Sequence, residues 1–215
     1  MVDEVHASLR RVREAFSRYP RRPMLDGCPH CRGAVTVAEH DLYSLSITIG
    51  NTVGTLDDLK ALLPTLLERL VTDTELDPEI VFGKLAGRND WRGWPSTEYA
   101  AVDGYLRAVW RSLLTDYPSR LGAVSDATTF LDAAAPLYAG PDTFLTVWDC
   151  TNEPSADRHL AVLVLAWSAG WQHEPSVVAW LRRPATQERL LHAFERDHES
   201  PWADELAQAY DMLAG

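Results

Sequence analysis

The sequence predicts an all-α fold, an irregular multi-helix array whose neighbouring helices pair in a HEAT-like manner. Three observations lead there. Apolar residues recur at helical spacing along most of the chain, prolines stand at or near most element starts, and no strand–turn–strand signal is present. The two Asp-Gly pairs, Asp26-Gly27 and Asp103-Gly104, lack the flanking alternation that a hairpin requires. No exact repeat is visible, so the array is irregular and not a solenoid of identical units.

The first helix carries Val5, Leu9, Val12 and Phe16 on one face and Arg10, Arg11 and Arg13 on the others; "YPRRP" ends it, because proline lacks a donor and restricts the residue before it. Residues 23–36 read as loop, and a second helix is expected from Val37 to about Val53. Thr55 is the N-cap of a third, with Asp57 and Asp58 in the first turn, where negative charge suits the helix dipole. Leu56, Leu59, Leu62, Leu63, Leu66, Leu67 and Leu70 form its stripe, and Pro64 predicts a bend or a restart. Pro78 opens a short helix, "NDWRGWPST" is loop, and Ser96 or Thr97 caps a long helix. Its expected buried face is Tyr99, Val102, Leu106, Val109, Trp110, Leu113 and Leu114. Further helices are expected at 125–138, 141–150, 154–170, 174–182, 184–197 and 201–213. "HLAVLVLAW" is apolar on every side and is therefore expected to be central.

The chain of 215 residues can bury one sizeable core and reads as one domain, 1–215. Its charge is uneven. Residues 1–33 carry seven arginines against Asp3, Glu4, Glu14 and Asp26, a net of +3, whereas the whole chain is at −11. A basic helix and cysteine turn packed on an acidic helical body is the simplest arrangement. The acidic balance argues against nucleic acid as a partner. The charged N-terminus has no signal-peptide core, and the longest apolar run, Leu160 to Trp171, is too short for a membrane span, so a cytoplasmic location is expected. Lysine occurs only at Lys60 and Lys84, the other eighteen basic residues being arginine, a composition that points to a high-GC bacterial source.

"LDGCPHCRGAV" is the one stretch that looks like chemistry. Three cysteines are too few for a disulfide framework, so Cys28 and Cys31 admit three readings. The first is thiol–disulfide exchange: "CPHC" resembles the active-site tetrapeptide of the DsbA-type oxidoreductases, yet "SRYPRRPMLDG" supplies no buried strand before it. The second is a zinc knuckle, in which Cys28 and Cys31 provide half of a tetrahedral shell, His40 and His6 are the first residues to complete it, and His30 and Cys150 are further candidates. The third is a Pro/Gly-shaped turn packing two thiols as small hydrophobes.

No other motif is complete. His173-Glu174 is followed by Val177 where a zinc protease helix needs its second histidine, and His192 and His198 lie six apart and share no helical face. Ser168 in "WSAGW" lacks the first glycine of a nucleophile elbow. Trp91, Arg92 and Trp94 in "WRGWP" are either an aromatic contact surface or rings folded onto the core.

The segments "YPRRP", "CPHC", "LDDLKALLPTLLERL", "GKLAG" and "WRGWP", with "WLRRPATQERLLHAFE" near the C-terminus, resemble an uncharacterised bacterial all-helical family with an N-terminal Cys-x-x-Cys turn. The likeness spans about half the chain and implies a helical fold without a known activity. In that family aromatic and basic residues are common in the Asp-Asp helix, where this chain has Leu59, Lys60, Ala61 and Leu62. The expectation is a protein-binding or structural adaptor with no catalytic constellation. A zinc-stabilised protein and a thiol oxidoreductase stand as alternatives.

Overall fold

The computed structural model describes residues 2–27, 33–168 and 174–214. Among them the chain is mostly helical: α1 (Val2–Phe16), α2 (Leu42–Thr48), α3 (Leu56–Thr72), α4 (Pro78–Gly83), α5 (Ser96–Leu114), α6 (Ala127–Ala134), α7 (Asp142–Asp149), α8 (Pro154–Ser168), α9 (Pro175–Leu181), α10 (Pro184–Asp197) and α11 (Ala203–Ala214). The all-α reading holds. The backbone groups into two compact units, one of residues 1–109 with 121–124, the other of residues 110–120 and 125–215.

In the first unit α1 lies along α3, and α4 packs on both α2 and α3. Val5, Leu9, Val12 and Phe16 of α1 and Leu59, Leu63, Leu66, Leu67 and Leu70 of α3 are all buried. Thr55 caps α3 in a reciprocal capping box with Asp58, and α3 runs through Pro64 without a restart. Tyr105 of α5 donates its hydroxyl to the Leu67 carbonyl at 2.7 Å, tying α5 to α3.

Three local expectations are corrected. Met24–Leu25 (β1) and Val35–Thr36 (β2) form a two-stranded antiparallel ladder inside the segment read as loop. The second helix starts at Leu42, because the Asp41 carboxylate accepts from the Ser44 amide at 2.8 Å and caps it there; only a 3-10 turn, Val37–Glu39, precedes it. That helix stops at Thr48, since Ile49 turns extended and bridges Val53, while Gly50 and Gly54 take positive φ. In α5 Val102, Leu106, Val109, Trp110, Leu113 and Leu114 are buried as expected, joined by Glu98 and Tyr105, but Tyr99 is 37% exposed, stacked on Trp91 at 4.9 Å.

Gly122 is hemmed in by backbone. Its φ is +49°, and a Cβ there would lie 2.5 Å from the Asp73 carbonyl oxygen and 2.8 Å from that of Leu70. The obstacles are backbone, which cannot rotate away, and the Ala123 amide donates to that same Leu70 carbonyl at 2.9 Å. Gly122→Ala is therefore expected to destabilise by more than about 1 kcal/mol, adding the left-handed penalty to the clash. A denaturation midpoint equal to wild type would refute this.

In the second unit the expected helices appear with each start within two residues of its reading. α6 gives way to a 3-10 turn at Ala135–Tyr138, where Pro136 cannot continue the helix. α8, the apolar helix, packs against α6, α10 and α11 and is the central element of this unit. Trp110, Phe130, Phe144 and Trp148 form one buried ring cluster, which places two of the eight tryptophans. No helix among the described residues is long and apolar enough to cross a membrane.

Candidate functional site

Of the sequence-predicted metal residues, the structure describes His6, His40 and Cys150. Cys28, Pro29, His30, Cys31 and Arg32 lie outside the described residues, as does His173. His40 is exposed just beyond β2, its Nδ1 3.2 Å from the Thr36 carbonyl oxygen, and His6 is exposed on α1. Cys150 is an exposed free thiol at the end of α7. No three His, Cys, Asp or Glu side chains among the described residues converge on a metal-sized site.

What frames the cysteine turn is described. The β1–β2 ladder closes it at its base, and Gly27 and Gly33 approach so closely that a Cβ on Gly27 would sit 2.4 Å from the Gly33 carbonyl oxygen. Gly27 also bridges Val53, and the Gly54 amide donates to the Asp26 carbonyl at 2.8 Å. The ends of the turn are thus pinned to each other and to the start of α3.

The basic arm is held by a series of acids. Arg13 pairs with Glu68 at 2.6 Å, Arg18 with Glu98, and Arg22 with both oxygens of Asp58 at 2.7 and 2.5 Å. Asp58 does two tasks: its Oδ2 also accepts from the Thr55 amide and hydroxyl at 2.7 and 2.8 Å. The Arg22 hydrogen bonds, joined by those from Thr55, outweigh its burial and lower its pKa to about 2.

The deepest polar cluster centres on Glu98, fully buried in the first turn of α5. Lys60 Nζ of α3 lies 2.8 Å from its Oε2, while the Tyr19 hydroxyl donates at 2.7 Å, and Arg18 donates too, to its Oε1. Lys60 Nζ also sits 4.5 Å from the Trp94 ring centre and 5.2 Å from that of Tyr19. Burial pushes the Glu98 carboxyl up, but the Lys60 and Tyr19 hydrogen bonds and the Lys60 and Arg18 charges together prevail, so its pKa lies below the ordinary value.

Lys84, just past α4, is the second buried lysine. It donates to the Ile47 carbonyl at 2.5 Å and so holds a terminal carbonyl of α2; burial lowers its pKa. Both lysines of the chain are only 5% exposed. Their scarcity in an arginine-rich sequence was the available signal that they occupy sites needing a compact charge on a thin stem, which a planar guanidinium does not fit.

The second unit carries an open cleft of about 440 Å³ whose lining includes Asp149, Trp180, Arg183, Glu188, His192 and Arg196. Asp149 Oδ1 accepts from Trp180 Nε1 at 3.0 Å and Arg183 at 2.7 Å, and Asp157 binds Arg189 and Arg196 at 2.6 and 2.9 Å. The cleft's guanidinium groups are therefore matched by carboxylates.

No family model, curated protein or solved structure matches this chain.

Proposed function

We propose that the chain is a helical protein-binding or adaptor protein that meets its partner through the outer face of α2. The observation that supports this is an exposed apolar pair: Tyr43 and Ile47, one helical turn apart, are 44% and 43% exposed, while Leu45 and Ile49 beside them are buried. The helix is seven residues long, too short to hold itself. It is fixed by its Asp41 cap, by packing on α4, and by Lys84 at the Ile47 carbonyl. A short helix anchored at both ends, with two large apolar side chains turned outward, suits a rigid contact surface. The buried clusters at Asp58 and Glu98 serve as ties between elements, their acids matched by bases from the arm and from α3.

The test is a photo-crosslinking residue at position 43, used in extract of the source organism. One discrete adduct is expected, lost on Ile47→Glu and absent when the crosslinker stands at exposed Glu153. The same adducts from positions 43 and 153 would overturn the reading.

A second reading is favoured by the pinched ladder. Gly27 and Gly33 hold the ends of the turn together, an arrangement that suits Cys28 and Cys31 as half of a zinc shell, with His40 or His6 as further ligands. Protein purified without chelator is then expected to carry one zinc per chain, lost in Cys28→Ser with Cys31→Ser. Metal-free, fully folded wild type would count against it.

A further inference from the structure

The first unit contains a small pocket, of about 90 Å³, that none of the roles above uses. Its apolar wall is made by Leu25 of β1, Val37 of the 3-10 turn, Ile49 past the end of α2, and Ala61 and Leu62 of α3. Leu25, Ile49 and Ala61 are buried. Each part of the wall is held by its own backbone bonds. Leu25 pairs with Val35 in the ladder, the Val37 amide donates to the Pro23 carbonyl at 2.9 Å, and the Ile49 amide donates to the Leu45 carbonyl at 2.9 Å. The pocket is therefore formed before anything enters it, and a ligand need not bear the cost of ordering it.

Two arginines complete the lining, and both reach the same stretch of α3. Arg22 is pinned by Asp58, one turn before Ala61 and Leu62; Arg21 Nη2 donates to the Thr65 hydroxyl at 2.6 Å, one turn after them. Their charges are matched differently. Asp58 takes Nε and Nη2 of Arg22, and Asp26 accepts from its Nη1 at 3.1 Å. Asp58 also accepts from the Thr55 amide and hydroxyl, so it has little left to offer a ligand. Arg21 is exposed and meets no carboxylate among the described residues, and most of its five N–H donors are unengaged there. The pocket thus joins a fixed apolar wall to one unmatched guanidinium.

We infer that this pocket binds a small branched aliphatic carboxylate, its alkyl end on the wall of Leu25, Val37, Ile49, Ala61 and Leu62 and its carboxylate on Arg21. Size sets the alkyl end. At about 30 Å³ for a water-sized group, 90 Å³ admits about three, an isopropyl group. Charge sets the head group, since a guanidinium fork matches a carboxylate with two parallel hydrogen bonds. An inorganic anion has nothing to lay on the wall, and a neutral hydrocarbon leaves Arg21 unused. Two sources carry this chemistry. One is a free short-chain acid, for which isovalerate is the probe. The other is a chain terminus ending in valine, for which N-acetylvaline is the probe: it is isovalerate with an acylamino group on the carbon beside the carboxylate.

Methyl NMR titration of the full chain at neutral pH and constant ionic strength tests this. Isovalerate is expected to shift the methyls of Leu25, Val37, Ile49 and Leu62 saturably, and to bind about tenfold or more tighter than acetate, which lacks the alkyl end, or isovaleramide, which lacks the charge. Arg21→Gln is expected to erase the preference for acid over amide while the amide still shifts the same methyls. Should that variant lose the wild-type methyl pattern without ligand, the acid-to-amide ratio of wild type decides alone. Tighter binding of N-acetylvaline than of isovalerate assigns the site to a chain terminus, and weaker or equal binding assigns it to a free acid; both uphold the pocket. Shifts that do not saturate or that fall elsewhere, equal binding of isovalerate and isovaleramide, equal binding of isovalerate and acetate, or an unchanged preference in a folded Arg21→Gln would each overturn it.

Discussion

Glu98→Ala is expected to cost about 3–5 kcal/mol of stability, the penalty for breaking a buried ion pair from one side. The side chain is fully buried, and its removal leaves Lys60, 5% exposed, without its counter-charge. The Trp94 and Tyr19 rings still face the ammonium at 4.5 and 5.2 Å, so part of its stabilisation survives. Tyr19 and Arg18 lose the acceptor that holds the end of the basic arm. Glu98→Gln keeps the shape and one acceptor and is expected to cost about 1–3 kcal/mol. The decisive measurement is the double variant Glu98→Leu with Lys60→Met in urea denaturation. Removing both charges should recover more than half of the single-variant loss, because the cost lies in the stranded ion. A loss below about 1 kcal/mol in Glu98→Ala would mean that solvent screens the cluster.

The same residue explains how far the sequence could be read. Helix existence was legible wherever a stripe met a capping signal: Thr55 with Asp58, the prolines at 78, 154, 175 and 184, and the apolar run of α8 all lie where spacing put them. The phase of α5 was legible in Val102, Leu106, Val109, Trp110, Leu113 and Leu114, which are all buried, but its first turn was not, since an apolar scale assigns Tyr99 inward and Glu98 outward. What reverses them is the Lys60 and Arg18 charge brought from distant positions. The short β1–β2 ladder escaped for a related reason: two-residue strands carry no alternation, and their pairing is fixed by the Gly27–Gly33 approach and the tie to Gly54. Of the candidate site, the arginine-rich arm and the two rare lysines were visible as composition. Their partners were not, because Asp58 reads as an ordinary first-turn acid and nothing in the sequence singles out Glu98. His159 sat inside an apolar stretch, and nothing local announced that Tyr117, from beyond the far end of α5, would meet its ring and that Trp202 would in turn pack on Tyr117.

Trp110→Ala is expected to cost about 3–5 kcal/mol in the second unit, the range for deleting a large aromatic from a packed core. Trp110 is fully buried, stacked on Phe130 at 5.0 Å and edge-on to Phe144 and Trp148 at 5.7 and 5.3 Å. Its indole N–H also donates to the Phe144 carbonyl at 2.9 Å, so truncation loses that hydrogen bond as well as opening a cavity. The neighbours cannot readily collapse inward, because Phe130 and Phe144 already pack edge to face at 5.0 Å and Trp148 is held by Ala156 through its own N–H at 3.1 Å. Trp110→Phe separates the two contributions: it refills most of the cavity and still loses the hydrogen bond, and is expected to cost about half as much. Near-ultraviolet circular dichroism should fall in the alanine variant, and hydrogen exchange should quicken first in α6 and α7, whose rings it touches. Equal losses for alanine and phenylalanine would show that the Phe144 carbonyl, and not the packing of the rings, decides the stability of this cluster.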